Sequence, residues 1–116
     1  LNEMLQASGV GAALRLGDVP IIDGDRELAG QGIVPGGTRR NMEYANEFVV
    51  WPEGVTETDK LILCDAQTSG GLLISAPPER AQVLLATLKD KKGLKAAAIG
   101  EVVKRGDGVK TITVIK

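Results

Sequence analysis

Cys64-Asp65-Ala66-Gln67-Thr68-Ser69-Gly70-Gly71-Leu72-Leu73 is the stretch on which the fold turns. It runs from polar groups, through a glycine pair, into the apolar run Leu72-Leu73-Ile74. Glycine has no Cβ, so Gly70 and Gly71 admit positive φ and let a ligand or another backbone come close. Gln67, Thr68 and Ser69 set donors and acceptors beside that opening. The residues allow two readings: a polar turn that starts a core strand, or a hydroxyl-lined corner that holds a ligand.

Downstream, Gly71 to Ala76 reads as a buried strand. Pro77-Pro78-Glu79 then opens a helix over 78–92, with Ala81, Leu84, Leu85 and Leu88 as its apolar stripe. Lys89, Lys91 and Lys92 fall in its last turn, where cations favour the helix dipole, and Gly93 stops it. Ala96 to Val103 and Val109 to Ile115 read as strands around Arg105-Gly106-Asp107-Gly108, a hairpin signal.

Upstream, Thr56 or Thr58 caps a helix through Leu63, and Phe48-Val49-Val50-Trp51 is a short apolar segment stopped by Pro52. Gly32-Ile33-Val34-Pro35-Gly36-Gly37-Thr38 is a glycine-rich turn, with Thr38 placed to cap a helix from Arg39 to about Asn46. Asp23 to Gln31 is a helix candidate with Asp23 as N-cap, weakened by Gly24 and Gly30. Val10 to Leu16 reads as a strand. Leu1 to Ser8 reads as the end of an amphipathic helix that Gly9 stops. Nothing precedes Leu1 to cap that helix, so a fragment or processed chain is expected, its helix begun upstream. The pattern is α+β: a mixed β-sheet layered with helices.

The bulk properties narrow the function classes. A chain of 116 residues fits one domain. Its 43% hydrophobic and 25% charged residues are ordinary globular values, and 3% aromatics call for an aliphatic core. Fourteen basic and fifteen acidic residues leave a net charge of -1, which gives no electrostatic case for nucleic acid or an anionic membrane as partner. No apolar run approaches the roughly 18 residues that span a bilayer, and the first residues lack the pattern of a signal peptide. The single cysteine, Cys64, forms no internal disulfide and fits a reducing, cytoplasmic setting. Histidine is absent, which removes the commonest general base and every Ser-His or Cys-His pair. Any catalysis must use carboxylates, backbone amides, arginines and lysines, or be completed elsewhere.

Several constellations bear on chemistry. Gly9-Val10-Gly11 begins like a dinucleotide fingerprint but lacks the third glycine, and a helix precedes it rather than a strand. Gly32 to Thr38 is no Walker A loop, because no lysine precedes Thr38. Gly36-Gly37-Thr38-Arg39-Arg40-Asn41 is more suggestive. A glycine pair entering a helix leaves free N–H groups and a dipole that favour an anion, and Arg39 or Arg40 adds a forked donor. The plainer reading is a capped helix with two solvated arginines. Cys64 reads as a small buried hydrophobe rather than a nucleophile. Asp65 caps or accepts a backbone hydrogen bond more readily than it faces a metal. Asp23 and Asp25 have the spacing of loop metal ligands, weak evidence taken alone.

Together the two glycine motifs resemble those of the selenophosphate synthetase (selenide, water dikinase) family. That family's signature runs Cys-Asp-Pro-Gln-Thr-Ser-Gly-Gly-Leu-Leu, which stands here as Cys64 to Leu73 with Ala66 for the proline. Its earlier Val-Pro-Gly-Gly-Thr-x-Arg-Asn stands intact as Val34 to Asn41. Leu1 to Met4 and Ala98 to Val102 are also similar to family segments, so the likeness spans nearly the whole chain. The resemblance implies the C-terminal domain fold of the aminoimidazole ribonucleotide synthetase superfamily. It implies a parent enzyme, an ATP-dependent phosphotransferase with Mg²⁺, that turns ATP, selenide and water into selenophosphate, AMP and phosphate. The family's reactive cysteine or selenocysteine, its lysine and most metal-binding aspartates lie in the N-terminal half. Residues 1–116 are then a single C-terminal domain, inactive alone, whose partners are that N-terminal domain and, in the full-length enzyme, a second copy in a homodimer. Gly36, Gly37, Thr38, Arg40 and Asn41 would face the ATP cleft, with Gln67, Thr68, Ser69, Gly70 and Gly71 as its second edge. Loss of the proline at Ala66 removes a φ lock and should cost little rigidity. The alternative is a non-catalytic module that binds phosphate or a protein partner. Another enzyme of the superfamily is a further rival, less favoured because it lacks this pair of motifs.

Overall fold

The computed structural model describes residues 1–89, 91, 95–106 and 110–116. The chain opens with helix α1 (Asn2–Ser8), which Gly9 ends with φ 65°, a left-handed cap that a side chain rarely adopts. Strand β1 (Val10–Arg15) and a single 3-10 turn (Leu16–Asp18) follow. Helix α2 (Asp25–Gly30) starts later than the sequence suggested. Gly24, at φ 92°, is its N-cap, whereas Asp23 stands in solvent and pairs with Lys95 at 3.4 Å.

Helix α3 (Gly36–Ala45) corrects a second boundary. Thr38 does not cap it. The Thr38 N–H donates to the Pro35 carbonyl at 3.0 Å, so the turn closes on Pro35 and both glycines enter the first helical turn. Proline's fixed φ suits the residue ahead of a helix, and glycines there hinder nothing. Strand β2 (Val49–Val50) is brief. Helix α4 (Glu57–Leu63) carries a full capping box, in which Thr56 and Asp59 bond reciprocally. Helix α5 (Pro78–Lys89) begins with proline at its first position, as expected. The expected end of α5 at 92 and its Gly93 stop lie outside the described residues. Strands β3 (Gly100–Lys104) and β4 (Ile112–Ile115) complete the order.

The four strands form one mixed sheet in the order β2-β4-β1-β3. β1 runs antiparallel to β3, pairing Ala12 with Val102. It runs parallel to β4, pairing Ala12 with Ile112, and β4 runs parallel to β2, pairing Val49 with Ile112. The expected hairpin between the last two strands therefore does not form, because β1 lies between them. Burial explains the choice. Ile112 and Val114 are 5% and 1% exposed, and a central place protects them on both flanks. Part of the expected turn, residues 107–109, lies outside the described residues.

Gly71 to Ala76 is not a strand. It pairs with none of the four, and Leu72 is 92% exposed. A short apolar run signals burial but names no partner, and here the sheet is assembled without it.

The core is aliphatic: Leu5, Ala12, Ala45, Val49, Ile112 and Val114, with Leu14, Phe48, Trp51, Leu63 and Cys64 packed against it. α1 and α3 thus contribute to one packed cluster with the sheet. Close backbone contacts account for two glycines: a Cβ on Gly100 would strike the Ala13 carbonyl oxygen, and one on Gly11 would stand 3.1 Å from that of Thr111. No helix among the described residues is long and apolar enough to cross a membrane.

Candidate functional site

The start of α3 and the turn after α4 meet. Their junction is Thr38, whose side chain is fully buried. Its hydroxyl donates to Asp65 Oδ1 at 3.1 Å and accepts the Ala66 N–H at 3.1 Å. One helical turn on, Asn41 Nδ2 donates to the Cys64 carbonyl at 3.1 Å. Gly37 presses against the same turn, for a Cβ there would stand 3.1 Å from that of Ala66. The two glycine motifs, 27 residues apart at Thr38 and Asp65, are thus one structure.

Beside this junction lies an open, polar depression lined by Leu1, Glu3, Asn41, Asp65, Ala66, Gln67, Thr68 and Gly70. Of the residues expected at a site, Asn41, Gln67, Thr68 and Gly70 line it. Gly36, Arg40, Ser69 and Gly71 are exposed but do not line it, and Gly37 is half-buried beneath Ala66. Thr38 faces inward, engaged on both sides of its hydroxyl. Glu3 and Asp65 line the depression although neither was expected there. Asp65 follows Cys64 directly within the motif, whereas Glu3 sits on the outer face of a short helix and gave no signal.

The amides that open α3 have no carbonyl four residues back, and the dipole there is positive. Arg40 is exposed and joins none of the ion pairs found among the described residues, whereas Arg39 is drawn to Glu57 at 3.3 Å. Burial pushes the Cys64 thiol above its usual range, which suits a packing role and not a thiolate nucleophile. Among the described residues, no three of His, Cys, Asp and Glu gather as a metal-binding group, and Asp23 and Asp25 remain apart from any such cluster.

Ala66 also explains how this chain manages without proline. Its N–H makes a hydrogen bond that proline could not donate, and its methyl fills the space over Gly37.

Residues 1–112 match the family described as AIR synthase related protein, C-terminal domain. The chain belongs to that family. Its four-stranded mixed sheet with helices bears out the expected α+β class. Among curated relatives, "Selenide, water dikinase" of Myxococcus xanthus (strain DK1622) is 43% identical over 102 residues, 88% of this chain and 29% of the relative. The protein of the same name from Clostridioides difficile (strain 630) is 41% identical over 113 residues, 97% of this chain and 32% of its own length. That of Haemophilus ducreyi (strain 35000HP / ATCC 700724) is 50% identical over 80 residues, 68% of this chain and 22% of the relative. The chain therefore spans about a third or less of the relatives it resembles.

Proposed function

We propose that this AIR synthase-related domain serves as the C-terminal domain of a selenide, water dikinase and forms one wall of its ATP cleft. The parent reaction consumes ATP, selenide and water and yields selenophosphate, AMP and phosphate, in the cytoplasm. The observation that carries this reading is the junction of the two motifs at Thr38 and Ala66. It sets the first turn of α3, in the helix that carries Arg40, beside the base of the polar glycine loop.

In this reading the Gly36 and Gly37 amides and the Arg40 guanidinium hold phosphate oxygens, a use that helix N-termini and arginine forks both suit. Asn41, Gln67, Thr68 and Ser69 orient the nucleotide by hydrogen bonds, and Gly70 and Gly71 let it approach the backbone. In this reading Mg²⁺ and the reacting groups belong to the remainder of the parent protein. That remainder, and a second copy in a homodimer, are the partners of this chain.

The test places Arg40→Ala and Ser69→Ala in the full-length enzyme and measures selenophosphate formation and ATP affinity. Arg40→Ala should weaken ATP at least tenfold, and Ser69→Ala by less. Unchanged values in both variants would overturn the reading.

A further inference from the structure

Residues 67–76 are exposed, and no side chain of Gln67 to Ala76 bonds to the rest of the molecule among the described residues. Backbone bonds from Cys64 and Asp65 continue α4 into the base of this loop, and three hydrogen bonds tie that base to α3: Thr38 Oγ1 to Asp65, Ala66 N–H to Thr38 Oγ1, and Asn41 Nδ2 to the Cys64 carbonyl. Leu72, Leu73 and Ile74 then run out at 92%, 40% and 54% exposure. A segment with so few contacts takes its position from its anchor. Two of the three bonds to α3 pass through a single hydroxyl.

We propose that Thr38 is a positioning residue for the ligand site rather than a ligand contact: its hydroxyl sets where the Gln67–Gly71 loop stands relative to the first turn of α3. A fully buried side chain touches no solute from solvent, and both hydrogen-bonding directions of this one are spent on the loop base. Valine would fill the same space while removing both bonds and leaving the Ala66 N–H unpaired. Serine keeps the hydroxyl. The loop would then lose its fixed distance from the Gly36 and Gly37 amides in one variant and keep it in the other. Loop displacement raises the ligand concentration needed without altering groups that react elsewhere. The inference rests on the proposed ATP cleft for its ligand, and on geometry alone for the anchor.

The experiment has two arms. In the 116-residue chain, amide hydrogen exchange is compared for wild type, Thr38→Val and Thr38→Ser. Thr38→Val should speed exchange at Ala66 at least tenfold while β1 and β4 stay within twofold, and Thr38→Ser should match wild type. In the full-length enzyme, Thr38→Val should raise the KM for ATP about tenfold with kcat within threefold, and Thr38→Ser should restore KM to within twofold. If Thr38→Val does not fold, Asp65→Ala at the half-buried partner is measured in the same two ways. An unchanged KM for ATP in the variant would overturn the proposal, as would exchange that rises equally in every strand. A wild-type enzyme with no selenide-dependent ATP turnover would instead overturn the functional reading, and the exchange pattern would still decide the anchor.

Discussion

Asp59 gathers more hydrogen bonds than any other side chain described, and its removal should be felt as a loss of stability that depends on pH. Asp59 is buried, its side chain 10% exposed. It accepts the Thr56 N–H at 3.0 Å, the Thr56 hydroxyl at 2.7 Å and Arg26 Nη1 at 2.6 Å. Asp59→Ala leaves one half of the capping box, since the amide at 59 still donates to the Thr56 hydroxyl. The lost half is worth about 1 kcal/mol, as caps usually are. Arg26 is 52% exposed, so its bond is screened and adds about 0.5–1 kcal/mol. Allowing for the Thr56 N–H left unpaired, the total is roughly 2–3 kcal/mol. For a domain of this size that is a drop of about 10 °C in Tm. Burial pushes the Asp59 carboxyl up, but the Thr56 hydroxyl, Arg26 and the Thr56 amide outweigh it and hold it below the usual carboxylate range. A group with a depressed folded pKa stabilises above its unfolded value, near 3.9, and loses that contribution as pH falls through the folded value. Urea unfolding of wild type and Asp59→Ala at pH 7 and near pH 3 measures the gap at both ends. It should be about 2–3 kcal/mol at pH 7 and clearly smaller at low pH. A gap under about 0.5 kcal/mol at pH 7, or an equal gap at both pH values, would refute the reasoning.

Gly37 and Ala66 should be energetically coupled. Gly37→Ala should destabilise the wild type yet be tolerated in an Ala66→Gly background, with a coupling of about 1 kcal/mol in a double-mutant cycle read by denaturant unfolding. Gly100→Ala meets backbone rather than a movable side chain and should cost at least about 2 kcal/mol; a thermal midpoint within about 2 °C of wild type would contradict the contact with Ala13. Cys64 should react with iodoacetamide at pH 8 at least about tenfold more slowly than glutathione, and urea should abolish the difference.

Elements whose signals are local were legible in the sequence. Gly9 stops α1 and Thr56 caps α4 through chemistry contained within four residues. Where outcome depends on a distant partner, reading failed. Gly71 to Ala76 has the composition of a buried strand, but composition does not supply a neighbour. Arg105 to Gly108 has the residues of a hairpin turn, yet β1, about a hundred residues upstream, takes the place between the strands. At the site, the family likeness put the two glycine motifs in one structure, and the structure brings their bases together. The inward turn of Thr38 was not legible, because it follows from Pro35 starting the helix and from an acceptor 27 residues away and a donor 28 residues away.

β4 pairs with both β1 and β2, so each waits for a strand that leaves the ribosome after it. Ala12 and Ile112 stand in register across nearly the whole length of the chain. At the usual pace of synthesis, that gap keeps the β1 edge unsatisfied for roughly 5–20 seconds. Chaperone demand during translation should therefore fall on β1 and β2, and substitutions that weaken Ile112 or Val114 should lower yield in the cell more than they lower the melting temperature of protein already folded.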